Sequence, residues 1–241
     1  METSRKDYVL LGAILGLSLL ASTCIASYTF YRLRSNNTIT STGSAKESVV
    51  SDKVKWTSSI TRAVSASTIS QGYAQMDSDL KAVRAFLAAN NIPADSIEVS
   101  PILMNEIYEQ NPGVEKHYNL VQNITVQSDD VNGIDALSKN TTPLIVQKGV
   151  LFSTNSLEFY YSKLPDARVA LLANAVKDAG ARAEQIANAG GKRIGALRTA
   201  SSGVVQVMSP NSVEVSDYGT YDTSSIDKEI MVTVKATFET K

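Results

Sequence analysis

The residues that most resemble a chemical site are Gly-Gly-Lys at 190–192, which follow an alanine-rich stretch in VKDAGARAEQIANAGGKRIG. A glycine before lysine is the centre of a phosphate-binding loop, but that loop also needs glycine five residues earlier and Ser or Thr after the lysine. Ile186 and Arg193 occupy those positions here. The glycines also follow a helical pattern, and a helix end offers carbonyls, whereas anion sites use the amide donors of a helix start. We therefore predict a helix stop at the glycines, with Lys192 and Arg193 near the negative end of the helix dipole.

Neighbouring carboxylates form two candidate acid-base pairs, Asp129 with Asp130 and Asp217 with Asp222. Both pairs lie in polar stretches, where aspartate commonly forms turns, so we interpret them as solvated turn residues. His117 is the single histidine, without a second histidine for a metal or an evident nucleophile beside it, which favours a surface or edge-strand position. We predict no catalytic, cofactor or metal site, and we expect the protein not to be an enzyme.

The loop SDYGTYDTSS, residues 216–225, is the best candidate for a binding surface. Tyr218 and Tyr221 could stack on a small ligand or on another subunit. The alternative is an ordinary surface loop, because Tyr, Gly, Asp and Ser are common in such loops. An enzyme of unidentified reaction is the remaining alternative.

The segment Tyr8–Tyr31 has no charged residue and is long enough to cross a bilayer as a helix. A secretory signal cleaved after Ala26 is the alternative, since basic residues precede the apolar run. The run is longer than a cleaved signal needs, and aromatic residues at its end are typical of a membrane interface. We predict an uncleaved anchor over residues 1–34 and a body, residues 35–241, outside the cytoplasm.

Charge and cysteine content exclude several classes of function for the body. The chain has 23 basic and 24 acidic residues. Residues 1–34 contain four of the basic and two of the acidic residues, so the body has 19 basic and 22 acidic residues. A mildly acidic body without a basic block argues against a nucleic-acid partner. The single cysteine, Cys24, lies in the apolar segment, so the body has neither a disulfide nor a thiolate metal site.

Period-two alternation predicts most of the strands of the body. It places Val54, Trp56, Ile60 and Val64 on one strand face, and we interpret Trp56 as a core residue rather than a binding platform. Further strands are predicted at 39–50, in two hairpin arms around Asn111–Gly113, at 156–164, after Lys192, and near the end with Ile230, Val232, Val234, Ala236 and Phe238 on one face.

Apolar spacings of three and four predict the helices that these strands pack against. One stripe comprises Ile69, Tyr73, Met76, Leu80, Val83 and Leu87, and a long alanine-rich helix begins near Pro165 with a stripe of Leu164, Leu172, Val176, Ala179, Ala183 and Ile186 or Ala187. Asp129 is predicted to cap a short helix between the two cycles. The order strand, helix, strand, strand therefore occurs twice, in pseudo-repeat units of about 39–141 and 150–241. We predict an α+β fold with antiparallel-rich sheets packed on long helices, after one transmembrane helix.

The body resembles the SIMPL-domain family, which includes bacterial periplasmic immunogenic proteins. The resemblance rests on ITSTGSAKESVVSDKVKW, FYYSKL, the stretch 176–195, SSGVVQV and DKEIMVTVKATFE, in this order. The residues of these stretches that we assign a structural role are Trp56, Tyr160, Tyr161, Asp178, Arg182, Gly191, Gly203, Gln206 and Lys228.

The resemblance implies an α+β fold, an extracytoplasmic location in bacteria and a tendency to form large homo-oligomeric rings. Together with the anchor, it predicts a single-pass protein of the bacterial inner membrane with its body in the periplasm. It also implies a loose link to envelope and oxidative-stress responses, and it implies no reaction. From the anchor, the strong strand edges and this resemblance, we expect a non-catalytic, membrane-anchored scaffold that self-assembles.

Overall fold

The computed structural model describes residues 5–34, 37–108, 115–212 and 216–241. Five helices and nine strands lie in these ranges, and two single-turn 3-10 helices follow β2 and precede β3. The helices are α1 (Arg5–Arg34), α2 (Ile69–Ala89), α3 (Val131–Lys139), α4 (Thr142–Lys148) and α5 (Leu164–Ala189). The strands are β1 (Thr38–Val50), β2 (Lys53–Ser65), β3 (Ile97–Val99), β4 (Leu103–Ile107), β5 (His117–Ser128), β6 (Phe152–Tyr160), β7 (Ile194–Met208), β8 (Thr220–Tyr221) and β9 (Asp227–Thr240). The predicted α+β class is confirmed.

The chain divides into two compact units, each assembled from separate segments. The first unit comprises Met1–Gly43, Val176–Ser201 and Val234–Lys241, and the second comprises Ser44–Ala175 and Ser202–Thr233. The boundary therefore crosses β1, α5, β7 and β9. The boundaries of the anchor, the body and the two pseudo-repeats stay predictions.

The second unit contains a five-stranded sheet in the order β3-β5-β2-β6, with β4 also paired to β5. Its pairs are antiparallel. The alternation predicted for β2 is confirmed, because Val54, Trp56, Ile60 and Val64 are all buried. Trp56 is 1% exposed, and its ring meets the ring of Phe152 edge-on at 5.8 Å. Trp56 is thus a core residue, as predicted.

Helix α2 packs on this sheet through most of the predicted stripe, in which Met76, Val83 and Leu87 are fully buried. The prediction is wrong for Tyr73, which is 39% exposed, and the neighbouring Gly72 is buried instead. The buried face also includes Asp79, which the apolar pattern does not contain. Asp79 accepts hydrogen bonds from Arg62 Nε at 2.6 Å and from Arg62 Nη2 at 2.9 Å. This bidentate pair makes the buried charge tolerable and ties α2 to β2.

Two local predictions need correction. Asp130, not Asp129, is the N-cap of α3, because the Asp130 carboxylate accepts the amide of Gly133 at 2.9 Å. His117 begins β5, which lies between β2 and β4, so it is not on an edge strand. The predicted hairpin arms do pair as β4 and β5, while the turn at Asn111–Gly113 lies outside the described residues.

The four-stranded sheet has the order β1-β9-β7-β8. Every predicted inward residue of β9 is buried, from Ile230 to Phe238. Strand β6, which begins the second predicted cycle, pairs with β2 of the other sheet. The order of the elements is therefore repeated along the chain, but the strands of the second cycle do not all belong to one sheet.

The stripe predicted for α5 is confirmed at Ala179, Ala183 and Ala187 and is wrong in the first half of the helix. Ile186 is 53% exposed, and Leu172 and Val176 are only partly buried. The fully buried residues recur at a strict spacing of four: Ala167, Leu171, Ala175, Ala179, Ala183 and Ala187. At about 100° per residue, each step of four turns the stripe by about 40°, so the buried line winds around the helix. A winding stripe suits a twisted sheet, and a pattern of mixed threes and fours does not reveal it.

The predicted helix stop is confirmed and is a Schellman motif. Gly191 has φ of 68°, in the left-handed region. The Lys192 amide donates to the Ala187 carbonyl at 2.8 Å, and the Gly191 amide donates to the Asn188 carbonyl at 3.0 Å. These two bonds occupy carbonyls that would otherwise lack partners at the helix end.

We expect Gly191→Ala to lower the free energy of unfolding by about 1 kcal/mol, because a residue with a Cβ is strained in the left-handed region. Gly190→Ala is the matched control, since a Cβ there meets only ordinary contacts, the nearest at 3.5 Å from the Ala187 carbonyl oxygen. Urea unfolding of both variants measures the difference. Equal destabilisation by the two substitutions would contradict the assignment of Gly191 as the helix stop.

Candidate functional site

The loop 216–226, which leads into β9, is the candidate site, and every contact described for it below lies within the second unit. Its residues Thr220 and Tyr221 form β8, which pairs in parallel with Gln206 and Val207 of β7. The Gln206 amide donates to the Ser216 carbonyl at 2.5 Å and its oxygen accepts from the Thr220 hydroxyl at 2.7 Å. One buried side chain on β7 therefore holds both ends of the first half of the loop.

A buried lysine holds the second half. Lys228 is 1% exposed, and its Nζ donates to the carbonyl of Asp222 at 2.5 Å and to that of Ser225 at 2.7 Å. The same Nζ lies 5.7 Å from the centre of the Tyr221 ring. Burial lowers the pKa of Lys228, while the negative charge of Asp222 opposes that shift. A buried ammonium is costly without oxygen partners, so this loop has to fold around the lysine.

Asp222 organises the turn beneath Lys228. Its carboxylate accepts hydrogen bonds from the amide and hydroxyl of Ser224, at 2.9 Å and 2.7 Å, and from the hydroxyl of Ser225. Burial alone would raise the pKa of Asp222, but these hydrogen bonds and the charge of Lys228 outweigh it and hold the pKa at about 2. A carboxylate with this pKa stays ionised at neutral pH, which suits a structural anion better than a general acid or base.

The two tyrosines of the loop have different roles. The Tyr221 hydroxyl accepts the backbone amide of Tyr161 at 2.9 Å, and its ring lies 5.9 Å from that of Tyr160. Tyr221 thus joins the loop to the end of β6. Tyr218 is 96% exposed, so it is the tyrosine whose ring is available to a ligand or a subunit.

Four of the residues assigned a structural role from the sequence converge on this loop: Tyr160, Tyr161, Gln206 and Lys228. The other five have separate positions. Trp56 is in the core, Gly191 ends α5, Asp178 and Arg182 pair at 2.9 Å on α5, and a Cβ at Gly203 would collide with Thr233. Sequence reasoning missed Asp222 as an organiser of the turn, although Asp followed by Ser two and three residues later is the pattern of an Asx turn.

The other candidate acid-base pair, Asp129 with Asp130, has two separate structural roles. Asp129 pairs with Lys53 at 2.5 Å, whereas Asp130 caps α3. Within the residues that the structure describes, no group of three or more His, Cys, Asp or Glu side chains could hold a metal ion. A groove of about 540 Å³ beside Lys53 is lined by Lys55, Gln127, Asp129 and Tyr160, among others. Its lysines already face Asp129 and Glu158, at 2.5 Å and 3.9 Å respectively.

We expect Lys228→Met to lower the free energy of unfolding by about 2 kcal/mol, because the carbonyls of Asp222 and Ser225 lose their donor. Lys235→Met is the matched control, since Lys235 is exposed on the same strand. Urea unfolding gives the free energies, and limited proteolysis reports opening of the loop. A Lys228→Met protein as stable and as protected as the control would contradict the role of Lys228.

The contribution of Asp222 to stability should disappear in acid. Its pKa of about 2 lies below its ordinary value of 3.8, so the ionised form stabilises the fold above about pH 4, and this stabilisation is lost as pH falls towards 2. We expect Asp222→Asn to be less stable than the unmodified protein by about 1–2 kcal/mol at pH 7, after allowance for partial exposure. The difference should shrink towards zero near pH 2 in urea unfolding. A gap that is independent of pH would show that the carboxylate charge does not act in this way.

Comparison with known proteins identifies the family of the body. Residues 39–238 match the family model SIMPL, which is described as a protein of unknown function (DUF541). No curated protein matches the chain. The match includes the core residue Trp56, the helix stop at Gly191 and the whole of the loop that Lys228 holds. Because it covers most of the sequence, the chain belongs to the SIMPL family.

Proposed function

We propose that this protein is a non-catalytic, membrane-anchored scaffold of the bacterial envelope that assembles with copies of itself. In this proposal α1 crosses the inner membrane and the SIMPL body lies in the periplasm. The apolar segment Tyr8–Tyr31 supports the anchor: a window of 18 residues within it has a mean hydropathy of 2.3, and none of that window is buried against the rest of the protein. A helix of 24 residues spans about 36 Å, which is enough for the hydrocarbon layer.

The observation that carries the assembly proposal is the exposed edge strand β4. All five of its residues are exposed, among them Leu103 at 53%, Met104 at 46% and Ile107 at 41%. Strand β4 pairs with β5 on one side, and no strand pairs with its other side among the described residues. Unpaired backbone groups beside exposed apolar side chains favour pairing with another strand. The occupant that we propose is β4 of a second copy, because antiparallel pairing of identical strands closes a two-fold interface.

The exposed ring of Tyr218 supports a second candidate function, which is the binding of a small ligand at the loop 216–226. The base of this loop is fixed by Lys228 and Gln206, so the ring is presented on a rigid frame. A ligand at this site would raise the melting temperature of the unmodified protein and not that of Tyr218→Ala, because binding to the native state alone stabilises it.

We expect Leu103→Lys combined with Ile107→Lys to convert the assembled protein to a smaller species, because like charges then face each other across the β4 edge. Ile145→Lys combined with Val146→Lys is the control, since these α4 side chains are also exposed, at 44% and 75%. Sedimentation of the full chain in detergent gives the size, and thermal unfolding verifies the fold. If both double variants keep the size of the unmodified protein, β4 is not the interface.

A further inference from the structure

The two units differ sharply in charge. After Arg34, the segments of the first unit carry seven basic and three acidic residues, for a formal charge of +4. The segments of the second unit carry 12 basic and 19 acidic residues, for a formal charge of −7. The net charge of the body is negative, but the first unit is basic. An uneven charge distribution of this kind points to an anionic partner for the first unit.

The basic unit is also the one attached to the membrane segment. Helix α1 ends at Arg34, and the carbonyl of Asn37, three residues later, accepts the amide of Thr240 at 2.8 Å. Arg193 and Lys241 exchange both of their backbone hydrogen bonds, at 3.0 Å and 2.9 Å. Three residues span at most about 11 Å, so the end of α1, the start of β7 and the end of β9 lie close together.

Three exposed cations gather at this point: Lys192, Arg193 and Lys241. The Schellman motif fixes the backbone before Lys192, and the exchange of hydrogen bonds between Arg193 and Lys241 fixes the other two. Two of the three acidic residues in the segments beyond α1 are already paired with other cations. Asp178 pairs with Arg182 and Glu239 pairs with Arg198, each at 2.9 Å. The third, Glu184, lies on α5 two turns before Lys192.

We infer that Lys192, Arg193 and Lys241 bind the anionic phospholipid headgroups of the leaflet in which α1 ends. This inference rests on the proposed anchor, because the helix is what holds the three cations at the headgroup level. A basic cluster beside a membrane helix gains from the negative surface potential of anionic lipid, and the gain is confined to about one Debye length, which is about 8 Å at physiological salt. The first unit is thereby held against the bilayer and does not swing on the short connection after α1.

The test measures the distance between the α5–β7 turn and the lipid headgroups. The full chain carries Cys24→Ser and Ala189→Cys, with a fluorophore on the new thiol at the exposed end of α5. It is placed in nanodiscs of phosphatidylcholine, with or without about one third phosphatidylglycerol, and all discs contain a fixed fraction of headgroup-nitroxide lipid. We expect quenching to rise about twofold in the anionic discs and to return to the neutral value at about 0.5 M NaCl.

Matched charge variants identify the residues responsible. Lys192→Gln with Arg193→Gln should abolish the rise in quenching in anionic discs. Lys177→Gln with Lys235→Gln, which removes two exposed cations elsewhere in the same unit, should leave the rise unchanged. Equal quenching in neutral and anionic discs, or equal loss in both variants, overturns the headgroup contact alone. A recovered protein whose intact mass lacks residues 1–26, as cleavage after Ala26 would produce, overturns the anchor and the contact together.

Discussion

The buried side of β9 is the constraint on which the rest of the structure depends. Every second residue from Lys228 to Phe238 is buried, and β9 lies between β1 and β7. The first of these buried side chains is a cation, which needs oxygen partners that a strand does not supply. Carbonyls of the preceding loop supply them, so the placement of one lysine on an apolar face determines how residues 222–225 fold.

The two long helices of the body, α2 and α5, bury side chains of very different size. Helix α5 is lined with alanines because small side chains allow close packing, and Phe238 of β9 comes within 3.6 Å of a Cβ built at Gly180. Helix α2 instead carries large apolar residues and one charged residue, Asp79, that pairs with Arg62. The small side chains of α5 therefore let its backbone lie close to the residues it packs against. The large apolar side chains of α2 instead fill the core, and the Asp79–Arg62 pair satisfies its one buried charge.

Sequence reasoning located the strands and the helix stop because both depend on local rules. Alternation predicts the buried faces of β2 and β9. Ile186 and Arg193 stand where a phosphate-binding loop needs glycine and Ser or Thr, which favours a helix stop, and the structure shows that this stop is a Schellman motif. Long-range pairing was not accessible in the same way: β6 joins β2, and the α5 stripe winds with a spacing of four. The role of Lys228 also depends on contacts with carbonyls of a loop, and no apolar pattern encodes those. Asp130, and not Asp129, caps α3 because a sequence pattern locates the start of a helix only to within one or two residues.

The proposal that joins these features is that a membrane-anchored SIMPL body assembles through the exposed edge strand β4. Its central claim is tested most directly by the molar mass of the full chain in detergent, measured by light scattering over a concentration series and corrected for bound detergent. The account predicts one discrete multimer whose mass stays constant on dilution into the micromolar range. A monomer at every concentration would contradict it.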